Sequence, residues 1–321
     1  MRRVVVLSAI QNLVNGLRGK LPNCVIYECK SANDEELRNA EIIIGDYDLI
    51  GPIVYDLKKV KLLHGTWAGV DKLLPFVDAN NPPPFPVVRY SGEQFGRIIS
   101  EYVVASIVNH ERELFRVYEN QRESNWCRDG TIMHHRIISD LNIGVMGIGS
   151  IGSVLGQLLK HFGAKVNVLG RRPSIDKEEF KYVHEYYPNE RLKDFLSKCD
   201  YVINTLPSTN ATIGLLNGDV LKSCYERKSI FINVGRGTII AEADLANAIK
   251  NRWISAAYLD VFHEEPLPKE NILWRIPEVK ITPHVAAVSR TVDVVDQFAK
   301  NLELFDAGKP IPTKIDFQRG Y

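Results

Sequence analysis

The segment that most restricts this chain lies near its middle. There Gly147-Ile148-Gly149-Ser150-Ile151-Gly152 follows an apolar run at residues 141–146 and opens a helical pattern over residues 150–162, which Gly163 would close at its C′ position. A glycine-rich turn between strand and helix is built for a pyrophosphate. One glycine makes the tight turn, the next lets backbone N–H groups approach the phosphates, and the third lets helix and strand pack closely. The helix N-terminus brings its own attraction for anions to the same spot. Against a glycine-rich βα turn with no ligand stands the joint presence of strand, motif and helix. Gly147, Gly149, Ser150, Ile151 and Gly152 are therefore expected to bind a dinucleotide.

The ribose-selecting position follows about 20 residues on, at the end of the next strand. The sequence there is Val168-Leu169-Gly170-Arg171-Arg172-Pro173-Ser174. A carboxylate at this place would grip the 2′-hydroxyl of NAD and repel a 2′-phosphate. Two arginines stand there instead, and guanidinium binds phosphate in a bidentate fork. The expected cofactor is NADP(H), with NAD(H) possible as a second choice.

Around this loop the chain alternates strand and helix signals. Strands are expected at residues 4–7, 25–29, 42–44 and 62–65, then a proline-rich loop at 80–86, then one long helix over 93–119. From residue 140 the rhythm restarts, with strands at 141–146, 166–169, 201–204, 229–233, 256–259 and 280–282, and a closing helix over 289–307. Six strands in βα alternation are what a doubly wound nucleotide-binding sheet requires. With 321 residues, two domains are the natural division. The fold class is α/β, with two Rossmann-like doubly wound parallel-sheet domains. A smaller βα unit precedes the mid-chain glycine loop, so a discontinuous domain of residues 1–98 and 287–321 is expected around a dinucleotide-binding domain of 99–286.

Several classes are set aside. The balance of 40 basic and 39 acidic residues leaves a net charge of +1, no footprint for nucleic acid or an anionic membrane. No apolar run reaches the ~18 residues that suggest a membrane span. The short apolar run after Arg2-Arg3 reads as a buried strand rather than a signal peptide. Five cysteines without a C-x-x-C pair argue for a reducing compartment, and the cytoplasm is expected. His134-His135 lacks an accompanying cysteine or carboxylate cluster, so no metal is expected.

Three later segments, each after a strand, complete a pattern: Ile232-Asn233-Val234-Gly235-Arg236-Gly237, then Leu259-Asp260-Val261-Phe262-His263-Glu264-Glu265-Pro266, then Thr282-Pro283-His284-Val285-Ala286. Together with the glycine loop and Gly65-Thr66-Trp67-Ala68-Gly69-Val70-Asp71, they resemble the D-isomer-specific 2-hydroxyacid dehydrogenases over nearly the whole chain. The Trp-Ala-Gly loop, the arginine pair and the final Arg319-Gly320-Tyr321 are most similar to the glyoxylate/hydroxypyruvate reductases of that family. Departures exist: the family often has threonine and alanine where Val234 and Gly235 stand, and glycine at Ala287.

The resemblance implies hydride transfer from NADPH to a small 2-keto acid, giving the D-2-hydroxy acid. Such a reaction needs a cation for the substrate carboxylate and a proton donor for the keto oxygen. Arg236 resembles the family's substrate-clamping arginine, His284 its acid/base, and Glu265 the carboxylate that hydrogen-bonds the histidine. Backbone N–H groups of Trp67, Ala68 and Gly69 would bind the substrate carboxylate. Val234, Gly235, Asp260, His284 and Ala286 would lie near the nicotinamide, and Leu206, Pro207 and Thr212 would line the cofactor cleft. A homodimer is the default assembly. The alternative is a dinucleotide-sensing dimeric scaffold resembling the C-terminal-binding corepressors, which keep a similar triad; the arginine pair in place of an NAD-selecting acid counts against it.

Overall fold

The computed structural model describes residues 1–321 and divides them into two compact units, Met1–Phe95 with Val288–Tyr321, and Gly96–Ala287. The first unit carries β1 (Arg2–Leu7), β2 (Cys24–Glu28), β3 (Ile42–Gly45), β4 (Leu62–Gly65) and β5 (Val87–Val88) in the order β2-β1-β3-β4-β5. All pairings in this sheet are parallel. β3 reads Ile-Ile-Ile-Gly and is buried throughout, as a central parallel strand covered on both faces must be. Helices Leu13–Lys20 and Thr291–Asp306 approach closely at Gly16, where an added Cβ would stand 3.0 Å from Val295. The returning C-terminal segment is fastened to β5 by Ile315 N–H donating to the Val87 carbonyl at 2.8 Å.

The second unit adds β6 (Asn142–Met146), β7 (Lys165–Gly170), β8 (Val183–Pro188), β9 (Tyr201–Asn204), β10 (Ile230–Asn233), β11 (Ala256–Leu259) and β12 (Val279–Ile281). Their order is β12-β11-β10-β9-β6-β7-β8, again parallel throughout. The expected doubly wound fold is thus present in both units. The chain reverses its winding direction between β6 and β9, and in such sheets ligands bind outside the carboxyl ends of the strands at that switch point. Gly147 leaves the end of β6 there, beside Thr205 and Leu206, which leave the end of β9.

Two expectations need correction. The helix expected over 93–119 is broken: one helix covers Glu93–Glu111, a second covers Leu114–Arg122, and Glu113 between them is left-handed at φ 47°. The second helix buries none of its residues, so no core contact holds it in line with the first. The second sheet also has seven strands, not six. The additional β8, Val-His-Glu-Tyr-Tyr-Pro, is a partly exposed edge strand without a continuous apolar run.

Helix Ser150–His161 ends as its sequence requires. Gly163 has φ +90° and donates to the Lys160 carbonyl at 2.9 Å, while Ala164 donates to Leu159 at 3.1 Å, the paired bonds of a Schellman motif. Gly163→Ala would force a Cβ into a left-handed residue and to 2.9 Å from Ser139. It should destabilise the second unit by about 1–2 kcal/mol, visible as a lower urea midpoint with unchanged m-value.

Candidate active site

The glycine loop divides its labour by geometry. Gly147 has φ +109°, a conformation that favours glycine, and a Cβ there would meet Thr205 Oγ1 at 3.0 Å. A Cβ on Gly152 would stand 2.1 Å from the Gly147 carbonyl oxygen, so helix and loop could not close. Gly149 is different. It caps helix Ser150–His161 at an ordinary negative φ, and nothing lies within 4 Å of where its Cβ would be. The space a side chain would fill lies before the helix N-terminus, a fitting cradle for a pyrophosphate. Ser150 and Ile151 open the helix itself.

Arg171 and Arg172 follow the end of β7 on an exposed turn. The turn is anchored from β8, where Tyr186 Oη donates to the Arg172 carbonyl at 2.7 Å. The Arg172 guanidinium also lies 6.0 Å from the centre of the Phe180 ring. Leu206, Pro207 and Thr212 are half-buried after β9; the Thr212 hydroxyl is engaged within that loop, donating to the Pro207 carbonyl at 2.6 Å.

β9 and β10 end side by side in Asn204 and Asn233, two buried amides that sequence reasoning passes over. Asn204 Nδ2 donates to Asn233 Oδ1 at 2.9 Å, and its own Oδ1 accepts from Leu206 N–H at 3.0 Å. Asn233 Oδ1 accepts from Gly235 N–H at 3.2 Å, and Asn233 Nδ2 donates to the Arg236 carbonyl at 3.1 Å. This pair fixes the turn that carries Arg236. It also accounts for the departure at Gly235, since a Cβ there would stand 2.7 Å from both Asn204 Nδ2 and the Leu206 carbonyl oxygen. The half-buried Arg236 donates from Nη1 to the Gly235 carbonyl at 2.7 Å. Val234 is buried beside it.

Glu265 and His284 meet at the ends of β11 and β12. His284 Nδ1 lies 2.6 Å from Glu265 Oε2, and Glu265 Oε1 accepts from Phe262 N–H at 2.9 Å. A carboxylate only accepts, so Nδ1 carries a proton and Nε2 is the nitrogen left for chemistry. Glu264, the neighbouring acid, is exposed. The hydrogen bond from Glu265 is the main influence on His284 and raises its pKa above the ordinary imidazole value, against an opposing push from burial. For Glu265 the largest influence is burial, which raises its pKa. The bonds from His284 and Phe262 outweigh it and leave the carboxyl below its usual range.

His284 is itself left-handed, at φ 54°, an uncommon conformation for a residue with a side chain. Its loop hangs from Asp260, a buried carboxylate after β11. Val285 N–H donates to Asp260 Oδ1 at 2.8 Å and Ala286 N–H to Oδ2 at 2.9 Å, while the His284 N–H reaches the Asp260 carbonyl at 2.9 Å. Asp260 and Ala286 thus serve first to shape the loop.

In the first unit, Trp67 is exposed, Ala68 buried and Gly69 half-buried after the end of β4. Trp67 is therefore no core residue. The loop is held by Asp46, another buried acid without a sequence signal: it accepts from Ser8 Oγ at 2.6 Å, from Ala9 N–H at 2.7 Å and from the Thr66 hydroxyl. Beneath it, buried His64 donates from Nδ1 to the Gly65 carbonyl and accepts at Nε2 from Asn301; burial pushes its pKa down to about 4.

This arrangement has known counterparts. The family model described as D-isomer specific 2-hydroxyacid dehydrogenase, NAD binding domain, matches residues 104–286. A curated glyoxylate/hydroxypyruvate reductase A from Escherichia fergusonii is 31% identical over 314 residues, covering 96% of this chain and 95% of that protein. The crystal structure of an NADPH-dependent glyoxylate/hydroxypyruvate reductase from Sinorhizobium meliloti, with NADP and sulfate, is similar at a TM-score of 0.86 and 25% identity, covering all of both chains. A D-isomer specific 2-hydroxyacid dehydrogenase from Xanthobacter autotrophicus Py2, in complex with NADPH and MES, gives 0.85 at 26% identity over 100% of this chain and 99% of that one.

The Glu265–His284 contact predicts a titration. Raised in the folded protein, the imidazole keeps its proton to higher pH than in the unfolded chain, so its contribution to stability is full below the unfolded value and lost as pH rises through the folded one. Glu265→Gln removes the charge that favours imidazolium and should move the His284 titration to lower pH, followed through the ring proton resonances. An unchanged midpoint would mean the carboxylate does not control the ring.

Proposed function

The chain belongs to the D-isomer-specific 2-hydroxyacid dehydrogenase family of oxidoreductases, and from that premise we propose that it is an NADPH-dependent reductase of small 2-keto acids, of glyoxylate or hydroxypyruvate type. The observation that carries this reading is the 2.6 Å contact between His284 Nδ1 and Glu265. It raises the pKa of the imidazole above its ordinary value, favouring the protonated form, and leaves one nitrogen uncommitted to Glu265.

The division of work follows. NADPH, when bound, supplies the hydride that adds to the keto carbon. Gly147, Gly149, Ser150, Ile151 and Gly152 would hold its pyrophosphate, and Arg171 with Arg172 its 2′-phosphate. Val234, Gly235 and Ala286 would line the nicotinamide, and Leu206, Pro207 and Thr212 the adjoining part of the cofactor. Arg236 would clamp the substrate carboxylate with its planar fork, assisted by backbone N–H groups of Trp67, Ala68 and Gly69. His284 Nε2 would donate its proton to the oxygen that gains charge as hydride arrives, and Glu265 would stabilise the imidazolium before transfer. The product would be the D-2-hydroxy acid. In this reading residues 1–98 and 287–321 form the substrate domain and 99–286 the cofactor domain, in a cytoplasmic homodimer.

The experiment is a panel of 2-keto acids with NADPH and NADH, following loss of reduced nicotinamide absorbance. His284→Ala should lower turnover by about 100-fold or more, the usual share of general acid–base catalysis, with cofactor affinity nearly intact. Arg236→Ala should chiefly raise KM for the keto acid, with some loss of kcat as orientation fails. Near-normal turnover in His284→Ala would sink the mechanism.

Cofactor choice is tested separately. Alanine at both Arg171 and Arg172 should raise KM for NADPH far more than for NADH, and the wild-type preference should weaken with added salt, which screens exposed phosphate–guanidinium attraction. Equal effects on the two cofactors would overturn the assignment.

A further inference from the structure

One hydroxyl chain behind the catalytic loop has no part in the reaction just proposed. Tyr102, half-buried on helix Glu93–Glu111, has its Oη 2.7 Å from Thr282 Oγ1. Thr282 Oγ1 in turn lies 2.6 Å from Asp260 Oδ1. Asp260 already receives two backbone N–H groups, from Val285 and Ala286, and acts as the acceptor of the group. The Thr282 proton therefore points to Asp260, which leaves only lone pairs of the threonine oxygen to face Tyr102. The phenol must be the donor. Burial is the largest influence on Tyr102 and raises its pKa, so it keeps the proton that this role needs through the neutral range.

The chain brackets His284. Thr282 lies two residues before it, Val285 and Ala286 one and two residues after, and all three bond to the Asp260 side chain. His284 between them is left-handed, a conformation that costs of order 1–3 kcal/mol for a residue other than glycine and persists where the surroundings over-determine it. Thr282 and Asp260 leave neighbouring strands of the same sheet edge. Tyr102 is the member that comes from a separate helix, 180 positions away in sequence.

We infer that Tyr102 is a positioning residue for His284: its hydroxyl, through Thr282 and Asp260, fixes the loop conformation in which the imidazole meets Glu265 and presents Nε2 to substrate. The inference rests on the proposed role of His284 as proton donor. It concerns orientation alone, so its effect belongs in the chemical step and not in cofactor binding.

The test compares steady-state 2-keto acid reduction by wild type, Tyr102→Phe, His284→Ala and the double variant. Tyr102→Phe should lower kcat about tenfold, with KM for NADPH changed less than about twofold, because misplacing a proton donor slows chemistry without removing binding contacts. In the His284→Ala background the same substitution should cost nothing further, since there is no imidazole left to orient. A purely structural role would instead lower the residual activity of His284→Ala by the same factor, and that result overturns the inference. So does wild-type turnover in Tyr102→Phe. Should Tyr102→Phe fail to fold, Thr282→Ser and Thr282→Val decide: serine keeps the hydroxyl and should retain activity, valine should show the tenfold loss, and equal activities overturn the link. Loss in His284→Ala without loss in Tyr102→Phe removes the inference alone, whereas near-normal turnover in His284→Ala removes the proposed reaction and the inference with it.

Discussion

Burial of parallel strands on both faces is the constraint from which the rest follows. Strands such as β3, β9, β10 and β11 have every residue buried, so their side chains are committed to packing and none is free for chemistry. Polar function is driven to the strand ends. Parallel pairing then gathers all carboxyl ends on one edge of each sheet. Gly147, Leu206, Arg236, Glu265 and His284, from five separate segments of sequence, all follow strand ends on the same edge of the second sheet. No special folding device is needed to collect them.

Loops at such an edge must satisfy their own backbone groups, because an unpaired buried donor costs about 1–3 kcal/mol. The chain meets this need with short polar residues placed where strands stop. Asn204 and Asn233 serve the loops after β9 and β10, Asp260 serves the loop after β12, and Asp46 joins the loops after β1, β3 and β4. Each is buried, and each accepts hydrogen bonds from loops distant in sequence or from the first residues of its own loop. Rigidity of the candidate site thus comes from side-chain acceptors, not from secondary structure.

This explains what was legible in the sequence. Fully buried strands read as unbroken apolar runs, and glycine positions declare themselves through a spacing that backbone geometry requires. The contact between Glu265 and His284 is legible only through the family resemblance of the segments that carry them. β8 escapes because an edge strand such as His184-Glu185-Tyr186 can afford polar residues, and β5 because two residues after a run of prolines have no periodicity. The helix break at Glu113 escapes for the opposite reason: the amphipathic pattern continues past it, while one left-handed residue redirects the chain. Tyr102, Asn204, Asn233 and Asp46 are silent because their partners lie from 2 to 180 positions away with no repeated spacing. Only assembly of the sheet reveals them.

The division of charge at the edge has a further consequence for the proposed chemistry. A histidine that must deliver a proton needs a carboxylate close enough to keep it charged, yet a carboxylate that took the proton itself would end the cycle. Glu265 avoids this because both of its oxygens are engaged, one by the ring and one by Phe262 N–H, and these bonds outweigh the effect of burial and hold its pKa low. The imidazole bond is the stronger of the two, and the main-chain donor complements it, because an N–H cannot be withdrawn when the ring loses its proton. Glu265 therefore remains a charged acceptor through the neutral range, and proton traffic is confined to His284 Nε2, the one ring position not fixed by Glu265.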